Sequence, residues 1–187
     1  NPQATAESRA EAEFMAASIA TVREDRDAVM LWQRAAAAMA AIPGPWAACQ
    51  RAQAEFNRAQ LALEADDRTA FSAAVRRVDA AAPEIDGLTC QALAEALWLQ
   101  GEDLRSRGDV AGALPRFEAA VARSSPTEAT HADLLDALAR TLHSLRRDPE
   151  RVQRLGAEAQ RHFEDRDNHE AARNLREFIS APSAKAR

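Results

Sequence analysis

The segment RAEAEF at Arg9–Phe14 returns as RAQAEF at Arg51–Phe56, and the correspondence continues until EDRDAV at Glu24–Val29 meets DDRTAF at Asp66–Phe71. Ten of the 21 positions from 9 to 29 are identical to those 42 residues on, and five of the ten are Ala, which an Ala-rich chain supplies cheaply. Phe14 over Phe56, and Asp25-Arg26 over Asp67-Arg68, at one shift are not explained that way. A helical hairpin alone leaves an apolar face that only a neighbouring copy can cover, so recurrence at about 34 to 50 residues marks a stack of such hairpins. The spacing predicts an all-α chain of repeated helix pairs.

Two further copies follow once that period is expected. Around a Gly108-Asp109 turn, Leu97, Gly101, Leu104, Ala113, Phe117 and Ala120 fall at helical spacing. A shift of 38 residues then sets Leu135, Ala139, Leu142, Val152 and Leu155 over Leu97, Gly101, Leu104, Leu114 and Phe117. The punctuation agrees with the period. Gly44-Pro45 and Asp86-Gly87 break the chain before the second and third hairpins. Ser125-Pro126-Thr127-Glu128 has the pattern of a capping box with Pro at the first helical position, Asp148-Pro149 repeats an Asp cap followed by Pro, and Asp167 with Glu170 offers another cap. These signals predict one domain over 1–187, with hairpins at 6–42, 46–83, 89–124 and 127–164 and a closing helix at 168–180.

The third hairpin resembles a tetratricopeptide repeat. Leu97, Gly101, Leu104, Gly108, Ala113, Phe117, Ala120 and Pro126 follow that family's order of bulky residue, small residue, large residue, Gly-Asp turn, Ala, aromatic, Ala and closing Pro, with Pro126 one position late. Small residues at 101, 113 and 120 would let helices approach while the large ones fill the gaps. Pro115 departs from the pattern and, inside the second helix, is expected to kink or delay it. The resemblance implies a right-handed α-α superhelix of about four hairpins, whose concave groove, lined by the first helix of each, holds a peptide or a partner's helix. On that basis the groove-facing residues are Met15, Ala16, Ile19 and Val22, then Asn57, Arg58, Leu61 and Glu64, then Trp98, Leu99, Glu102 and Arg105, and finally Asp136, Arg140 and His143. Such a groove is apolar at its amino end, aromatic at Trp98 and charged beyond it, with Trp98 the expected anchor.

Charge excludes other partners. The 24 basic residues, nearly all Arg, are interspersed with 29 acidic ones for a net charge of −5, so no cationic stripe is available to nucleic acid or an anionic lipid surface. No apolar run approaches the ~18 residues of a membrane-spanning helix. The chain begins Asn-Pro-Gln instead of Met, which leaves a processed, excised or trimmed form, and a cytoplasmic or exported location, all open.

Chemistry finds little purchase. The sequence holds no Gly-rich phosphate loop, no GxSxG, no HExxH and no paired CxxC, so neither an enzyme nor a cofactor is expected. Glu128-x-x-His131 has the spacing of half a helical di-iron motif, but no second ExxH exists and Glu128 reads as a helix cap, so no metal is expected. His131, His143, His162 and His169 read as surface or rim residues, with His143 able to face the groove. Cys49 and Cys90 each lie seven residues before the bulky position of their repeat, Phe56 and Leu97. Packed helix axes stand about 8–10 Å apart whereas a disulfide wants Cα atoms at roughly 4.4–6.8 Å, which favours buried free thiols. The Pro- and Gly-containing connections before both could tilt these ends together, so a disulfide stays open.

The expectation is therefore a non-enzymatic adaptor or scaffold that binds a protein or peptide, in assembly, secretion or envelope organisation. Its alternative is an interaction segment of a larger signalling or regulatory protein. Ala172, Leu175, Phe178 and Ile179 can cap the carboxyl end of the stack, while residues 6–42 have no such cover and are the expected surface for a second copy or an upstream domain.

Overall fold

A computed structural model describes residues 2–85 and 89–180, with side chains from Thr5 onward. Among them the chain is all-α, with nine α-helices and no strand. These are α1 (Pro2–Val22), α2 (Ala28–Ala40), α3 (Pro45–Glu64), α4 (Arg68–Ala81), α5 (Gln91–Ser106), α6 (Val110–Arg123), α7 (His131–Ser144), α8 (Pro149–Glu164) and α9 (His169–Ser180), with a 3-10 turn at Ala82–Ile85 after α4. The Asp86-Gly87 break lies outside the described residues.

Four of the helices, α1, α3, α5 and α7, end in one repeated way. Glu24, Asp66, Gly108 and Arg146 each adopt a left-handed backbone with φ of 54°, 54°, 83° and 54°, at spacings of 42, 42 and 38 residues. The next residue's N–H then reaches back to a carbonyl five positions earlier: Asp25 to Ala20 at 2.9 Å, Asp67 to Ala62 at 2.8 Å, Asp109 to Leu104 at 3.0 Å and Arg147 to Leu142 at 2.9 Å. A fifth bend of the same kind ends α8, with Asp167 left-handed and Asn168 N–H donating to the Phe163 carbonyl at 2.8 Å. Each closes carbonyls that a helix end otherwise leaves unpaired.

Of the predicted helix caps Asp148 holds, and Asp67 and Asp109, read from the sequence as turn residues, also serve as caps. Asp67, Asp109 and Asp148 accept from the backbone N–H of Ala70, Gly112 and Arg151 at 2.9, 2.8 and 2.9 Å, and Pro149 and Pro45 stand in the first turns of α8 and α3. Three readings need correction. Ser125–Glu128 does not begin a helix: Glu128 Oε2 accepts from Ser125 N–H at 3.1 Å inside a separate turn, and α7 starts three residues later at His131. Asn168, accepting from Ala171 N–H at 3.2 Å, caps α9 instead of Asp167, which is spent on the left-handed bend. Pro115 neither delays nor interrupts α6, which starts on its Asp109 cap at Val110 and runs through to Arg123.

The described residues form two compact units, divided between Ala96 and Leu97 inside α5. In the first, α1 packs on α2, α2 on α3 and α3 on α4. Ala at the contacts, among them Ala10, Ala17, Ala35, Ala54 and Ala59, all wholly buried, permits close approach. Phe14 meets the Trp32 ring edge-on at 4.9 Å, and Trp32 Nε1 donates to Thr21 Oγ1 at 2.8 Å. Cys49 and Cys90 are joined by a disulfide with Cα atoms 5.8 Å apart, so the free-thiol reading does not hold. The separation is below the axis spacing of packed helices because both cysteines sit at helix ends, Cys49 in the first turns of α3 and Cys90 just ahead of α5.

The second unit holds a bulky core in which Phe117, Leu135, Leu138, Leu142, Val152 and Phe163 are buried together. Gly101 lies against Phe117 so closely that a Cβ there would stand 2.5 Å from the ring. From α9, Ala172, Leu175 and Ile179 are buried in the same core and Phe178 packs against it.

Candidate functional site

Trp98, Glu102 and Arg105 of α5 and Asp133, Asp136, Ala137 and Arg140 of α7 line one open cleft of about 200 Å³ in the second unit. The register explains the convergence. Positions 98, 102 and 105, and positions 133, 136, 137 and 140, each follow the three- and four-residue steps that put side chains on one helical face. Ion pairs set the geometry: Arg105 Nη2 donates to Glu102 Oε2 at 2.5 Å, and Arg140 Nε to Asp136 Oδ1 at 2.6 Å. The Arg140 guanidinium also lies 4.7 Å from the centre of the Phe178 ring, which fixes it from the other side.

Three carboxylates face two guanidiniums here, so the cleft carries a formal excess of one negative charge. Burial pushes the Asp136 carboxyl above the ordinary aspartate range, against the opposing pull of Arg140 and Arg105. Partial burial also raises Asp133, opposed by Arg166 and reinforced by Asp136. Trp98, half-buried against the core, adds an aromatic surface beside these charges. An aromatic face next to excess carboxylate suits a ligand that offers an apolar group with a cationic one.

Of the residues expected in a single groove, five meet in this cleft: Trp98, Glu102, Arg105, Asp136 and Arg140. The others lie elsewhere. Leu99 is buried at 7% exposure. His143 lines a different cleft of about 390 Å³ with Arg146, Arg147, Pro149, Val152, Gln153 and Ile179, its ring against Phe178 at 5.1 Å. In the first unit, Asn57, Leu61 and Glu64 line a third cleft with Thr21, Glu24, Asp25, Ala28 and Gln60. Arg58 is turned inward: its Nη1 bonds both oxygens of the buried Glu55, at 2.8 and 3.0 Å, and neutralises that carboxylate together with Arg77 at 3.7 Å. Met15, Ile19 and Val22 are exposed on α1, at 65%, 49% and 85%, and line none of the three clefts.

Asp133 and Ala137 complete the cleft and were missed, although their spacing to Asp136 and Arg140 gave the signal. His131 requires a further correction. It is buried, not at the surface, and its ring stands 5.4 Å from that of His162 because α7 begins at His131 and brings it beside α8. No family model, no curated protein and no solved structure matches the chain.

Proposed function

We propose that the chain is a protein-binding module of tetratricopeptide-like helical hairpins, a non-enzymatic adaptor or scaffold that holds a partner segment in the cleft of α5 and α7. The observation that carries this reading is the convergence of Trp98, Glu102, Arg105, Asp136 and Arg140 from two helices on one open cleft. The four equivalent bends and the Gly101–Phe117 contact support the repeat part of the proposal. The partner segment brings an aromatic or aliphatic anchor for Trp98 and at least one basic side chain for the excess carboxylate.

Peptide selection on the purified chain tests it, with affinities measured afterwards by titration. Trp98→Ala is expected to weaken the selected peptides at least about tenfold, or ~1.4 kcal/mol, because centrally placed aromatics dominate such interfaces. The selected sequences are expected to be enriched in Arg or Lys. Equal affinity for wild type and Trp98→Ala would remove the cleft from the proposal.

One observation favours a second reading, an interaction segment that docks through its amino-terminal helices. Met15, Ile19 and Val22 form an exposed stripe on α1, and Val29 and Met30 are exposed on α2. Native mass measured over rising concentration distinguishes a self-associating chain from a monomer.

A further inference from the structure

His131, Glu158 and His162 each offer one ligand atom, and the three atoms lie within 4.8 Å of one another. Among the described residues no other group of three His, Cys, Asp or Glu side chains converges in this way. Glu158 and His162 are one helical turn apart on α8, so they project from the same face, and His131 stands at the first position of α7. Ligands around a tetrahedral ion at bonds of ~2.0–2.1 Å sit about 3.3 Å apart, which rotation of the half-exposed Glu158 and His162 side chains can reach.

One ring nitrogen of His131 is held by a second group. The Ser124 hydroxyl donates its one proton to the Val121 carbonyl at 3.0 Å. Its oxygen lies 2.7 Å from His131 Nδ1, and in the tautomer whose Nδ1–H donates to it the lone pair is left on Nε2. A metal-binding histidine needs this arrangement: one ring nitrogen held by a second group and the other bare.

We propose that His131, His162 and Glu158 form a binding site for a borderline-soft divalent transition-metal ion such as Zn²⁺, with Ser124 as the positioning residue of His131. Two imidazoles and one carboxylate match that class of ion, and three protein ligands leave a coordination position for water or for a side chain of a bound partner. The site is separate from the cleft of α5 and α7 and does not rest on the function proposed for it.

The test is calorimetric titration of the chelator-treated full chain with Zn²⁺, repeated with Co²⁺ so that the visible spectrum reports coordination. One ion per chain is expected, with a Co²⁺ spectrum of four or five nitrogen and oxygen ligands. His162→Ala is expected to weaken binding at least about tenfold, and Ser124→Ala about tenfold through loss of the tautomer. His169→Ala, at an exposed histidine outside the cluster, should change nothing. His131→Ala opens a buried position, so the half-exposed His162 and Glu158→Gln serve as the variants, with circular dichroism confirming that each is folded. No saturable binding, or equal affinity in wild type and His162→Ala, would overturn the site.

Discussion

At Gly101 two rules oppose each other. A helix gains about 1 kcal/mol when Gly becomes Ala. Here the added Cβ would meet the wholly buried Phe117 ring at 2.5–2.8 Å, and overpacking of that kind costs about 1–3 kcal/mol. Gly101→Ala is expected to destabilise the second unit by about 0–2 kcal/mol net, read from urea denaturation; a gain would mean that the ring moves freely. Asp133 and Asp136 supply a second expectation, with opposite signs for folding and binding. Their folded-state pKa values are raised, so their contribution to stability is full below the ordinary aspartate value and is lost as pH rises through the folded values. Attraction for a basic peptide runs the other way and fades as pH falls from 7 towards about 4, sooner than for unperturbed aspartates. Titrations at fixed ionic strength check this, and Asp136→Asn is expected to flatten the profile.

At the scale of the helices, the bends repeat more faithfully than the sequence does. Only one of the four hairpin bends uses Gly, and Glu24, Asp66 and Arg146 hold the same left-handed backbone at a cost of about 1–2 kcal/mol each. Glu24→Gly is therefore expected to raise stability by about 0.5–1 kcal/mol after the entropy of a freer unfolded chain is subtracted, measurable as a higher thermal midpoint. Gly108→Ala should lose about as much, since nothing lies within 4 Å of its added methyl and only the backbone pays. Helix existence and most ends were legible because apolar period, Asp caps and Pro positions act within a few residues. The start of α7 was not. Ser-Pro-x-Glu satisfies a capping box and a free turn equally well, and the choice is made by packing that brings His131 beside α8.

For the molecule as a whole, the disulfide sets unequal stability in the two units. Both cysteines belong to the first, and a cross-link closing 41 residues contributes about 4 kcal/mol through the unfolded chain. Reduction is expected to lower the melting of the first unit and leave the second near its original midpoint, so hydrogen exchange of α2–α4 should accelerate while that of α7–α9 stays slow; uniform acceleration would show a single cooperative unit. The Cys49–Cys90 pairing stood as an open alternative in the sequence, and the His131 cluster lay beyond it, because both depend on how helix ends meet in space. The cleft was half legible, since spacing along α5 and α7 placed five residues on matching faces but could not say that Arg58 would be drawn in by Glu55 or that His143 would turn to Phe178.

The bridge also alters how the chain would bear load. Tension applied through the two ends passes from Cys49 to Cys90 across one covalent bond, so the segment carrying α4 and most of α3 is taken out of the line of force. At about 3.5 Å per residue, roughly 140 Å of contour stays hidden until the bond is reduced, and a pulled molecule would lengthen by that amount only in the presence of a reductant.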